Sequence, residues 1–323
     1  MLLARTLILL FLLLVVGLLG VSALWAPDRA PEDLLARYAL PPSRFITIDG
    51  MRVHYRDEGP AQDSVPLVLL HGTSASLHTW DGWTDALSQN HRVIRMDLPG
   101  FGITGPSPTD DYALDRYAQF TLTLLDSLRV TRFTIAGNSL GGEIAWRVAA
   151  AAPARVQRLI LVDATGYPRI STSVPVGFRI ARQPRLAWLT TRILPRSVVA
   201  ASVRDVYGDP DRVTDSLIER YYLLTLRAGN RAALPQRFAQ ESPASDSLRI
   251  RTLTLPTLIL WGALDRLIPP DHADRFARDI AGGRRVIFPG LGHVPHEEDP
   301  AGTVAEVRRF LAEPITAPAT RVP

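Results

Sequence analysis

Short apolar runs recur along the chain, and the stretches between them carry apolar residues at helical spacing. Residues 44–48 and 51–55 flank Asp49-Gly50, a pattern that predicts a β-hairpin. Residues 66–70, 92–96, 132–136, 158–162, 257–261 and 285–288 read as strands, most of them without a polar face. Residues 111–129, 139–152, 270–280 and 300–311 have helical periodicity. Strands apolar on both faces and alternating with helices predict a doubly wound, mostly parallel α/β sheet covered on both sides. The opening hairpin adds antiparallel edge strands.

Two stretches break this rhythm. Residues 6–26 carry no charge and are dominated by Leu. At about 1.5 Å per residue such a run spans roughly 30 Å, the thickness of a bilayer core. Arg5 precedes it, and Asp28, Arg29, Glu32 and Asp33 follow it with a net negative charge. Residues 1–26 are therefore expected to form a transmembrane signal-anchor, with the rest of the chain outside the cytoplasm. Val21-Ser22-Ala23 offers a cleavage site as the alternative, which would leave a secreted or periplasmic protein. Residues 27–42, rich in Pro and charge, read as a tether. Between 165 and 255 the strand signal vanishes, and Pro175, Pro184, Pro195, Pro210 and Pro235 break helical pieces. An unstructured loop of that length is improbable, so 166–255 is expected to be a helical cap. It would sit on a core made of 43–165 and 256–313. Residues 314–323 read as a disordered tail, and no internal repeat is visible.

Composition narrows the chemistry. The 323 residues are 46 % apolar and 21 % charged, ordinary for a globular protein. All 36 basic residues are Arg, which excludes Schiff-base lysines and the Walker phosphate loop. With no Cys, thiol nucleophiles, disulfides and Cys-bound metals drop out. A net charge of +4 gives nucleic-acid binding no support. Residues 166–255 hold 14 Arg against 7 Asp and Glu. That surplus is expected to be a solvated surface, with contact to anionic lipid heads as the alternative.

The strongest chemical signal is Gly137-Asn138-Ser139-Leu140-Gly141, set between a predicted strand and a predicted helix. This is the context of a nucleophile elbow, which lifts a serine hydroxyl above the sheet. His71-Gly72-Thr73-Ser74 follows an earlier strand, where a second oxyanion donor belongs. The Thr73 and Leu140 N–H groups are the expected donors, and His71 is expected to brace the loop. Asp97, ending the next strand, reads as structural. Asp265 follows the strand at 257–261, and His293 follows the last strand. Ser139, Asp265 and His293 thus stand in the order nucleophile, acid, base, each after a strand's C-terminal end. A serine needs a base to take its proton, and a carboxylate fixes the orientation of that base. Asp163 is a rival acid, although it could instead cap the turn at residues 164–166. His296 reads as a surface or supporting residue, and Glu143 as a core residue.

With these motifs in place, the chain from about residue 45 to 311 resembles the α/β-hydrolase superfamily, in its cap-bearing, esterase-like branch. The resemblance implies Ser139 as nucleophile, Asp265 as acid, His293 as base, and Thr73 and Leu140 as oxyanion donors. It implies a helical cap after the sixth strand, a small-molecule ester substrate and no metal or organic cofactor. Serine at the elbow argues against the superfamily's dehalogenases and epoxide hydrolases, which use Asp. Gly-Asn-Ser-x-Gly-Gly also resembles the carbon–carbon bond hydrolases of ring-fission products. Those usually carry a Gly-Pro-Gly oxyanion loop and a Trp after the base, where this chain has Thr73-Ser74-Ala75-Ser76 and Val294. Carboxylic ester hydrolysis is the leading expectation, ahead of carbon–carbon cleavage and of a catalytically silent membrane-tethered binding protein.

Overall fold

The computed structural model describes residues 5–8, 10–12, 15, 24–168, 170–183, 185, 187–241 and 247–315. The expected membrane span falls largely outside these residues, as does most of the expected tail. Among the described residues, no helix is long and apolar enough to cross a membrane.

The segment read as a tether folds. Pro31–Tyr38 forms helix α1, with Pro at its first position and Glu32 and Asp33 in its first turn. Its Leu34 and Tyr38 are buried against Ile103 and Leu224. Just before it the chain is pinned to the insertion. The Arg29 N–H donates to Leu226 O at 2.7 Å, the Ala26 N–H to Arg192 O at 2.9 Å, and Arg231 Nε to Asp28 at 3.1 Å. The polar composition of 27–42 hid the two apolar residues that dock. Leu34→Ala is expected to cost about 2–4 kcal/mol, read as a lower denaturant midpoint. A free tether would show no change.

The core is one sheet of eight strands. They are β1 (Arg44–Ile48), β2 (Met51–Glu58), β3 (Leu67–Leu70), β4 (Val93–Met96), β5 (Phe133–Asn138), β6 (Val156–Val162), β7 (Thr257–Gly262) and β8 (Gly283–Phe288). Their order is β1-β2-β4-β3-β5-β6-β7-β8. The hairpin β1–β2 joins β4 antiparallel, and every other pairing is parallel. The order reverses around β3, so crossover helices go to both faces. Alternation along each strand serves both faces at once. Leu67 and Leu69 point to α2 (Asp81–Leu87) and the C-terminal helix (Pro300–Ala312), packing with Trp83, Val304, Val307 and Phe310. Val68 and Leu70 point the other way, to α3 (Leu114–Ser127) and α4 (Leu140–Ala151), with Phe120, Leu124 and Trp146.

Residues 166–255 hold helices and no strand among those described. These are α5 (Val176–Ala181), α6 (Ala187–Thr190), α7 (Arg196–Val206), α8 (Asp215–Thr225), α9 (Asn230–Ala239) and α10 (Ser247–Ile250). Val199, Val203, Tyr207 and Ile218 form a small core that also takes in Val294, next to His293. The chain then closes with α11 (Asp271–Asp279), α12 (Pro295–Glu298) and α13 (Pro300–Ala312).

Candidate active site

Ser139 sits between β5 and α4 with φ +54° and ψ −116°, a strained conformation for a residue with a side chain. Its neighbours make the bend possible. A Cβ on Gly137 would lie 2.1 Å from Gly141 O, and one on Gly141 would lie 2.2 Å from Leu70 O. The turn is held by backbone bonds from Ser139 N–H to Val162 O at 3.0 Å and from Thr165 N–H to Ser139 O at 3.2 Å.

His293 and Asp265 meet at the same end of the sheet. His293 Nδ1 lies 2.7 Å from Asp265 Oδ2, and both residues are buried. The second oxygen of Asp265 accepts from the Leu267 and Ile268 N–H groups at 2.8 and 2.9 Å. The carboxylate is thereby fixed, and His293 Nδ1 carries the proton it shares with Asp265. Nε2 is then the basic nitrogen. Ser139, His293 and Thr73 line one cavity. Leu140 opens α4 directly after Ser139.

The loop carrying His293 is tied down from two sides. Asn138 Nδ2 donates to His293 O at 2.9 Å and to Val162 O at 3.2 Å. The His293 N–H donates to Val206 O in the cap at 2.7 Å. Glu298 accepts from Gly292 N–H at 2.7 Å and from the cap's Gly208 N–H at 2.8 Å. Burial raises the Glu298 carboxyl above its ordinary value against the opposing pull of these amides. The sequence does not mark Asn138 or Glu298 as positioning residues, because Asn138 reaches the His293 carbonyl and Glu298 the Gly208 N–H, both distant in the chain.

Asp163 does not cap the turn at 164–166. It is fully buried and accepts from the Gly262 N–H at 3.1 Å. Ligand atoms of Asp163, Asp265 and His293 all lie within 4.8 Å of one another. That spacing would suit a divalent cation, but the short His293–Asp265 bond already fills part of it. Burial, and then the negative charge of Asp265, push the Asp163 carboxyl well above the ordinary carboxylate range. This favours the protonated form of Asp163 beside Asp265.

The remaining candidates have structural places. His71 Nδ1 donates to Gly72 O at 2.8 Å, and its Nε2 accepts from the Leu98 N–H at 2.9 Å, so the neutral ring braces the loop. Burial holds it neutral. Asp97 accepts from the Leu77 and Ile103 N–H groups, both at 2.8 Å, and bonds His54 at 2.7 Å. Burial alone would raise its carboxyl, yet His54, bonded to it, holds it below its ordinary value. His296 is not at the surface: it is fully buried, its ring centroid 4.1 Å from that of Trp80 at a tilt of 34°, and it is bonded to Thr79 Oγ1 at 3.1 Å. Glu143 pairs with Arg147 one helical turn away at 3.3 Å.

The cap roofs the elbow. Phe178, Ile193, Leu194, Val199, Val203 and Leu224 line the cavity above Ser139 and His293, which holds about 180 Å³. Its apolar wall points to an apolar portion of a small molecule.

Known proteins share this architecture. The family model for the alpha/beta hydrolase fold matches residues 65–300. A 2-hydroxy-6-oxo-2,4-heptadienoate hydrolase of Pseudomonas putida is 29% identical over 279 residues, covering 83% of this chain and 96% of that protein. A solved meta-cleavage product hydrolase from Pseudomonas fluorescens is 25% identical, with a TM-score of 0.72, covering 83% of this chain and 97% of its own. A solved bacterial membrane phospholipase A is also 25% identical, with a TM-score of 0.72 over 95% of this chain and 97% of its own. With the family matched over most of its length and the sheet, elbow and cap in their places, the chain belongs to the α/β-hydrolase fold family.

Proposed function

We propose that this hydrolase cleaves a carboxylic ester through an acyl-enzyme intermediate. The observation that carries the reading is the buried His293–Asp265 pair at 2.7 Å, opening with strained Ser139 onto one cap-covered cavity. In this reading His293 Nε2 takes the Ser139 proton as Oγ bonds to the acyl carbon. The Thr73 and Leu140 N–H groups stabilise the oxyanion. The carbon–oxygen bond to the alcohol then breaks, and His293 returns the proton to the departing oxygen. A water activated by the same nitrogen releases the acid. Asp265 orients the ring and stabilises its charged form. The chain's own residues supply every step.

A fluorophosphonate probe is expected to label the protein at Ser139, and Ser139→Ala is expected to abolish the labelling. No labelling of the folded wild type would favour a silent binding protein. Carbon–carbon cleavage is the second reading, favoured by the 29% identity to the Pseudomonas putida hydrolase. The Thr73-Ser74-Ala75-Ser76 loop and Val294 stand against it. Turnover of a ring-fission product at a rate above that of every tested ester would select it.

A further inference from the structure

The cavity above Ser139 is small for an apolar binding site. It holds about 180 Å³, against roughly 300–1,000 Å³ for pockets that enclose a drug-sized ligand. An ester with more than a few carbons in each half needs one wall to give way.

Two walls are fixed. Where the cap meets the base, the His293 N–H donates to Val206 O at 2.7 Å, and Glu298 holds the Gly208 and Gly292 N–H groups together. A Cβ on Gly208 would lie 2.5 Å from Gly290 O, so backbone meets backbone at this edge. Movement there would carry His293 with it. The wall made by Leu224, Asn230 and Arg231 is fixed to the core through the α8–α9 turn. Asn230 Nδ2 donates to Gly102 O at 3.0 Å, and Arg227 Nε to Ile103 O at 3.2 Å.

The wall of Ile193 and Leu194, between α6 and α7, is held differently. The Arg192 and Ile193 N–H groups donate to Leu189 O at 2.9 and 2.8 Å, and Arg192 Nη1 donates to Trp188 O at 2.9 Å, all within the segment itself. A tie outward comes from the start of the chain. Trp25 and Ile193 form an antiparallel bridge, and the Ala26 N–H donates to Arg192 O at 2.9 Å. Asp28 accepts from the Gly229 N–H at 3.3 Å and from Arg231 Nε at 3.1 Å. The Arg29 N–H donates to Leu226 O at 2.7 Å, and Arg29 O accepts from the Ala228 N–H at 2.8 Å. Residues 24–30 thus run from the loosely held wall to a fixed one, and none of them borders the cavity. Trp25 is 52 % exposed and the Asp28 side chain 42 %. Contacts so open to water break more readily than those of a packed core.

We propose that residues 24–30 are a strap that holds the Ile193–Leu194 wall shut against the α8–α9 turn, and that the strap thereby sets the size of ester that reaches Ser139. The proposal goes beyond the ester reading, since it concerns access to the cavity and not the bond that is cleaved there.

The chain has no Cys, so Trp25→Cys with Ile193→Cys provides a single thiol pair. Partners in an antiparallel bridge have Cα atoms about 4.5–5.5 Å apart, within the span a disulfide needs. In the full chain carrying this pair, oxidation is expected to lower kcat/KM for hexyl hexanoate by at least about tenfold, because the open state is no longer populated. Reduction with a phosphine should restore it, and ethyl acetate should be turned over equally in both states. Equal values for hexyl hexanoate in the two states, or an equal loss on both esters, overturns the proposal. Asp28→Ala loosens the strap without a crosslink. It should raise the ratio of hexyl hexanoate to ethyl acetate turnover by at least about threefold, and an unchanged or lower ratio overturns the proposal. Calorimetry with hexyl hexanoate on Ser139→Ala carrying the thiol pair keeps the test separate from the ester reading. Binding weaker by about tenfold in the oxidised state supports the strap even if no ester is turned over. Equal binding rejects it.

Discussion

Ser139→Ala is expected to lower ester turnover by at least about 10⁴-fold in a protein that still melts cooperatively. The substitution removes one oxygen from the side chain, and the bend itself is held by backbone bonds to Val162 and Thr165. Packing is thus preserved while the bond-forming atom is gone. Residual rate would come from the oxyanion donors and from binding alone. Steady-state kinetics on the folded variant, with the wild type alongside, would check it. A loss smaller than tenfold would move the chemistry away from this serine.

The second large effect separates the two buried aspartates. Asp265→Asn is expected to cost about 10²–10⁴-fold in turnover, because an amide at this position leaves His293 in the wrong tautomer and its charged form unsupported. Asp163→Asn should cost less than about tenfold. An amide there can keep the bond from Gly262 N–H and, like the protonated acid, offers Asp265 a donor instead of a second negative charge. The two variants also differ in how stability depends on pH. The native Asp163 carboxyl titrates well above its ordinary value, so the folded state holds a proton that the unfolded state releases from about pH 4 upward. The wild type therefore loses stability as pH rises through that window, until the folded carboxyl itself ionises. Asp163→Asn has no proton to lose and should show a flatter curve of urea midpoint against pH. A wild-type curve no steeper than the variant's, or a larger kinetic loss at Asp163 than at Asp265, would assign the ionised partner of His293 to Asp163.

Much of this arrangement was legible in the chain because it rests on local rules. The apolar runs 66–70 and 257–261 serve both faces of a parallel sheet, and the pentapeptide at 137–141 needs only its flanking strand and helix to be read. Ser139, Asp265 and His293 each stand just after a strand, where an open sheet gathers its loops. What could not be read depends on where distant backbone arrives. Asp163 looked like a turn cap because its partner, the Gly262 N–H, is 99 positions away. Asn138 acts on the His293 carbonyl, 155 positions away. His296 carries a polar label, but its ring is covered by Trp80. Residues 27–42 read as a tether because only Leu34 and Tyr38 are buried apolar residues, and part of their cover, Leu224, comes from the cap.

The docking of α1 also bears on the order of assembly. Asp28 and its partner Arg231 are 203 positions apart. At a synthesis rate of about 5–20 residues per second, the early segment waits roughly 10–40 s for the cap to be made. Until then Leu34 and Tyr38 lack the part of their cover that Leu224 supplies. Helix α1 is made early and fully seated late, and nascent chains stalled before residue 224 should expose it to proteases and chaperones.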